Sequence, residues 1–174
     1  LDWRLAGSLD ALRALAEGRC RVAGLHLPPL QDGTAARFAA VLKPLLKPGT
    51  HKLIACGRRT QGLMLAAGNP LALRSLADVA AQRARFVWRQ PGSATRLLTQ
   101  HLLAQAGLAE SQLPVAATED SHLAAAAAVA AGQADAGLGL QPAAQAFGLA
   151  FVPLAQDDYF LACTAQALEE PALQ

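Results

Sequence analysis

The chain has 174 residues, of which 53% are hydrophobic and 16% charged, with a formal net charge of +2. That length suits one domain or two small lobes with a substantial core; the apolar content excludes a disordered chain, and the small charge excludes nucleic-acid binding through a basic face of this segment. No apolar run reaches the roughly 18 residues that a membrane-spanning helix needs.

In chain order, "DWRLAGS" is expected to form a short strand and "SLDALRALAEG" a helix. Leu9, Leu12 and Leu15 fall on one face of that helix, Ser8 is placed to cap it, and Gly18 ends it. "CRVAGLHL" reads as a second strand and "DGTAARFAAVLKPLL" as a helix broken near Pro44. "HKLIACGRR" and "QGLMLAAGNP" read as the third and fourth strands, the latter closing in a turn at Gly68-Asn69-Pro70. "SLADVAAQ" is a short helix capped by Ser75, "ARFVWRQ" the fifth strand, and "SATRLLTQHLLAQAG" a long helix ending at Gly107. Then come a strand in "PVAAT", a helix in "SHLAAAAAVAAG", a strand in "ADAGLGL" and a helix in "QPAAQAFG". Two last strands are expected in "LAFVPLA" and "DDYFLAC".

Strands that alternate with helices throughout predict an α/β fold with mostly parallel sheets. The order suits two lobes: residues 1–66 with 159–174 as lobe I, and residues 67–158 as lobe II. Two crossing strands, near Leu63–Ala66 and Tyr159–Ala162, would join them, with a ligand cleft between the lobes.

Three helices begin alike, with a strand, a tight turn of small residues and then a hydroxyl: Gly7-Ser8, Gly92-Ser93-Ala94-Thr95 and Thr118-Glu119-Asp120-Ser121. A helix start carries unpaired N–H groups and about half a positive charge. In an open α/β sheet such starts gather at the carboxyl ends of the strands, where ligands bind. The pattern therefore predicts a site for a small anion, with Arg89, Arg96 or Arg59 available for a charge-assisted contact. Ser8 or Ser121 taken singly serves as a helix cap more often than as a ligand. The turn from Gly92 to Arg96 is the strongest element, because it combines two hydroxyls, a glycine and flanking arginines.

Catalysis is not expected. Ser93, His122 and Asp120 supply the residue types of a triad, but "PGSAT" lacks the Gly-x-Ser-x-Gly elbow. His26, His51, His101 and His122 are scattered without metal-ligand spacing, and no phosphate-cradling or dinucleotide glycine fingerprint is present. Asp135, ahead of a strand, is expected to pair with local donors and fix that strand's entry. Cys20, Cys56 and Cys163 form no CxxC pair, which favours a reduced, cytoplasmic setting. The chain starts at Leu1 without Met, as expected of a piece of a longer protein.

Several stretches together carry a resemblance: "RTQGLMLAAGNPL", "SLADVAAQRARFVWRQPGSATRLL" and "SHLAAAAAVAAGQADAGLGLQPAAQAFGLAFVPLAQDDYFLAC". In this order they resemble the periplasmic-binding-protein-like domain, in its molybdate- or tungstate-type form attached to helix-turn-helix regulators. The resemblance implies a type 2 periplasmic-binding fold and a cytoplasmic sensor of a small anion, with molybdate or tungstate favoured and no other cofactor. It implies ligand contacts from Gly92, Ser93, Ala94, Thr95 and Arg96, with Ser8, Arg59 and Ser121 contributing. It also implies DNA binding only through a segment ahead of Leu1, and is compatible with a homodimer. The alternatives are an extracytoplasmic receptor of a transporter and an accessory domain in molybdenum-cofactor biosynthesis. The sequence departs from the family turn at Ala94, where a second Gly is usual, at Trp88, where Asn is common, and at Pro91.

Overall fold

The computed structural model describes Arg4, residues 6–27 and residues 40–169. Most of the helix expected in "DGTAARFAAVLKPLL" lies outside the described residues, as does much of the strand expected in "DWRLAGS"; the described Arg4, Ala6 and Gly7 are not in a strand.

Helix α1 (Ser8–Ala16) is followed by strand β1 (Val22–Leu27) and strand β2 (His51–Leu65). Helix α2 (Leu76–Ala81), strand β3 (Phe86–Arg89) and helix α3 (Ala94–Gln105) come next. Strand β4 (Val115–Glu119), helix α4 (His122–Ala130), strand β5 (Ala136–Leu140), helix α5 (Gln141–Ala146) and strand β6 (Ala150–Thr164) complete the described order, with short 3-10 turns beside them. The strands hydrogen-bond in the order β1-β6-β2-β5-β3-β4.

The α/β expectation and the type 2 architecture hold, but the sheet is mixed rather than mostly parallel. β3 runs parallel to both β4 and β5, while β2 is antiparallel to β5 and β1 antiparallel to β6. Two further expectations are corrected. The third and fourth strands are one strand of 15 residues, β2, and the last two strands are likewise one strand of 15 residues, β6. Gly57-Arg58-Arg59-Thr60 and Gln156-Asp157-Asp158 interrupt the apolar runs without interrupting the extended backbone.

The chain divides into two compact units, Leu1–Arg59 with Asp157–Gln174, and Thr60–Gln156. Both passages between units thus fall inside a strand, β2 and β6 respectively.

In the first unit, α1 packs on β1 through Leu9, Leu12 and Leu15 against Ala23, Leu25 and Leu27. β1 pairs with β6 from Val22↔Cys163 to Leu27↔Asp158. Gly24 is required there by close approach, since a Cβ at that position would lie 2.6 Å from the Tyr159 hydroxyl.

In the second unit β3, β5 and the end of β2 have two buried faces, as central strands do, while the edge strand β4 is largely exposed. Leu63 and Leu65 of β2, Phe86 and Trp88 of β3, and Leu138 of β5 join Leu76, Val79, Leu98 and Leu103 of α2 and α3 in one core. Met64 and Val87 point the other way, to Ala125, Ala126, Ala128 and Val129 of α4 and Ala143 and Ala144 of α5. The period of two along each strand assigns these faces. Each large apolar side chain removed from water contributes about 1.5–3 kcal/mol.

Candidate functional site

The two long helices of the second unit both begin at the carboxyl ends of neighbouring parallel strands. β3 and β4 are paired up to Arg89↔Glu119, and the Gln90 N–H donates to the Glu119 carbonyl at 3.0 Å. β3 therefore delivers the chain to α3 beside the point where β4 delivers it to α4. This is the geometry in which helix starts converge on a ligand.

The turn into α3 is built residue by residue. Gly92 has φ +83°, a left-handed conformation that suits glycine. It swings the chain so that Ser93 becomes the N-cap, its hydroxyl accepting from the Arg96 N–H at 3.1 Å. Among the described residues, no group accepts from the main-chain N–H of Gly92, Ala94 or Thr95. The Thr95 hydroxyl also has no partner among them, although the residue is only 3% exposed. Ser93 and Ala94 are buried too, so the turn offers donors from a sheltered backbone. Ser121 caps α4, accepting from the Ala124 N–H at 3.0 Å.

Arg89 ties the two starts together. Its Nε donates to the Glu119 carbonyl at 3.2 Å, and its Nη2 to the Asp120 carbonyl at 2.7 Å and the Gln90 side-chain oxygen at 3.4 Å. Its Nη1 is buried with no hydrogen-bond partner. Burial pulls the Arg89 pKa below the ordinary arginine value, against the Asp120 charge, which raises it. An arginine so shifted is still a cation at neutral pH.

Arg96 is held by its own fold. Its guanidinium lies 4.6 Å from the centre of the Trp88 ring, donates to the Arg89 carbonyl at 3.1 Å and pairs with Glu110 at 3.0 Å. Trp88 is 2% exposed and sits edge-on to Phe86 in the core. The indole that departs from the family turn is therefore a packing residue here. Asp135 grips the main-chain N–H and guanidinium of Arg85, which fixes the entry to β5.

Of the residues expected at the site, the structure brings Gly92, Ser93, Ala94, Thr95, Arg96 and Ser121 to this edge of the second unit. Ser8 and Arg59 belong to the first unit. Ser8 is not the cap of α1. Gly7 occupies that position, and Ser8 is the first helical residue and largely buried. Arg59 forms a two-pronged ion pair with Asp157, at 3.0 and 2.9 Å. Sequence reasoning named Arg89 only as one of three available cations; its place in the fully buried strand "FVWR" was the signal that set it apart.

Among the described residues no group of three or more His, Cys, Asp or Glu side chains could hold a metal ion, and no helix is long and apolar enough to cross a membrane.

Over residues 1–174 the sequence matches the PBP superfamily domain. The chain belongs to that superfamily. YvgK of Bacillus subtilis (strain 168) is 33% identical over 156 residues, a match that covers 88% of this chain and 49% of YvgK. The chain thus spans about half the length of that relative. Among solved structures, the effector-binding domain of QuiR in complex with shikimate superposes with TM-score 0.67 at 12% identity, covering 97% of this chain and 73% of QuiR. The regulatory domain of Synechocystis PCC6803 CcmR in complex with 2-PG gives 0.63 at 16% identity over 91% of this chain and 71% of the other. Full-length BenM gives 0.60 at 18% identity over 96% of this chain and 51% of its own. At these identities the superpositions speak for the fold.

Proposed function

We propose that this PBP superfamily domain is the ligand-sensing effector domain of a transcriptional regulator and binds a small anion, with molybdate or tungstate first among candidates. The observation that carries the reading is the start of α3: uncommitted N–H groups on Gly92, Ala94 and Thr95 and an uncommitted hydroxyl on the largely buried Thr95, all beside the start of α4. Donors held by rigid backbone need no reorganisation to receive an oxyanion. The superposed domains that are described as effector-binding or regulatory support the sensing role. The residues engaged in this reading are Gly92, Ser93, Ala94 and Thr95, with Ser121 at the neighbouring start. Such a ligand regulates only if it binds one conformation of the domain better than another.

A thermal-shift panel of molybdate, tungstate, sulfate, phosphate and small carboxylates tests this. A ligand present at about 100 times its Kd adds about 2.7 kcal/mol of stability, a rise of several degrees. That shift is expected for molybdate or tungstate and is expected to vanish in Thr95→Val. A wild-type chain indifferent to every anion in the panel overturns the reading.

A further inference from the structure

We propose that Arg89 is the charged floor of this site and matches it to a dianion, an inference that rests on the anion-binding reading above. Arg89 is 8% exposed, yet among the described residues it makes no ion pair. Arg58, Arg59, Arg85 and Arg96 each have a carboxylate; Arg89 has carbonyl oxygens and one amide oxygen. Carbonyls satisfy hydrogen bonds without neutralising charge, and a buried charge is costly unless a counter-charge answers it. One guanidinium nitrogen, Nη1, lacks even a carbonyl.

Its location sharpens the point. Arg89 is the last residue of β3, four positions ahead of the α3 cap, and it grips Asp120, which directly precedes the α4 cap. The guanidinium thus lies at the start of α4, on a strand whose main chain leads into the start of α3. Each helix start carries about half a unit of positive charge, so the positive groups together amount to roughly two before the Asp120 charge is set against them. An arrangement in which these charges repel one another is relieved by a ligand of charge about −2. The Asp120 charge offsets part of this, but the Arg89 guanidinium meets the Asp120 carbonyl and forms no ion pair with its carboxylate among the described residues. The donors at the α3 turn and the Arg89 Nη1 then suit molybdate, tungstate or sulfate better than a monoanion such as perchlorate or nitrate.

The test titrates the full chain with molybdate and with perchlorate at constant ionic strength, in wild type, Arg89→Met and Arg89→Lys. Wild type is expected to bind molybdate and to ignore perchlorate. Loss of a charge-assisted contact is expected to weaken molybdate binding by about 10- to 100-fold in Arg89→Met, with a smaller loss in Arg89→Lys. Nitrogen NMR of the arginine side chains, recorded on wild type, keeps the question open to decision if a variant fails to fold. The Arg89 guanidinium signals are expected to move saturably with molybdate, in step with the Thr95 amide. Molybdate binding unchanged in both variants, or Arg89 signals that stay still while the Thr95 amide moves, overturns the role of Arg89 and leaves the anion site standing. A wild-type chain silent to every dianion overturns both.

Discussion

Arg59 and Arg89 are both arginines at the end of an apolar stretch, and the fold treats them oppositely. Arg59, in the first unit, meets Asp157 through two parallel N–H donors, and Asp157 is only 3% exposed. Arg89, in the second unit, is more deeply buried but meets main-chain carbonyls and one side-chain amide. A charge answered by a fixed carboxylate is a structural element. One answered by carbonyl dipoles keeps its net charge and stays available to a mobile counter-ion. The difference shows how the same residue type completes an ion pair in one place and meets only dipoles in another.

The largest expected effect breaks the structural member of this pair. Arg59→Met takes the two-pronged guanidinium partner from Asp157 in a nearly closed environment and is expected to destabilise the chain by about 3 kcal/mol, measured by urea unfolding without anion. Arg89→Met, which removes a charge with no ion-pair partner among the described residues, is expected to cost less, about 1–2 kcal/mol for the loop carbonyls it contacts. Equal losses in the two variants would erase the distinction.

Next in size is the turn beside Arg89. Gly92→Ala forces a side chain into φ +83° and is expected to cost about 1–2 kcal/mol while weakening any anion response. The two Gly-Ser helix starts then sharpen the contrast between units. Ser93→Ala removes a working cap and is expected to cost about 1 kcal/mol, whereas Ser8→Ala removes a hydroxyl its own helix does not use and is expected to change stability by less than about 0.5 kcal/mol. Thermal unfolding of the two variants side by side reads this difference.

The smallest effect is in pH. Arg85, first through its side-chain hydrogen bonds, holds the Asp135 carboxyl below the ordinary carboxylate range. A depressed carboxylate adds stability that is fully present above its unfolded pKa of about 4 and is lost as pH falls through the folded value. Asp135→Asn is therefore expected to lower stability slightly at neutrality and to flatten the acid limb, so that the two profiles converge as pH falls through the folded value.

Much of the fold was legible because its signals are local. Gly18 and Gly107, read as helix stops, have positive φ and follow helices, as do Gly132 and Gly148. Ser75, Ser93 and Ser121 cap as their positions suggest. Strand continuity was not legible. The first residues of β2 are exposed in succession, so no alternation marks them as strand, and the charged Arg58 and Arg59 look like a terminus. Strand direction was not legible either, because side-chain periodicity is the same for parallel and antiparallel neighbours. At the site, the Gly92–Thr95 turn could be read from composition. Ser8 was misplaced by one position because "GS" offers two possible first caps, and the sequence alone does not say which residue turns first. The distinct state of Arg89 depends on what surrounds it across β4, and that information is not local.

The second face of the sheet in the second unit is packed almost wholly by small groups, with Ala125, Ala126 and Ala128 of α4 against Val87 and Met64, and with Gly137 and Gly139 on β5. Methyl groups act there as spacers of minimum thickness, setting how close the axis of α4 lies to the strands. A single bulkier side chain, such as Ala126→Leu, would lift that helix and carry its first turn away from Arg89 without altering any group in the turn. The placing of that helix start therefore has a lever in the interior, where it can drift through changes in helix height alone.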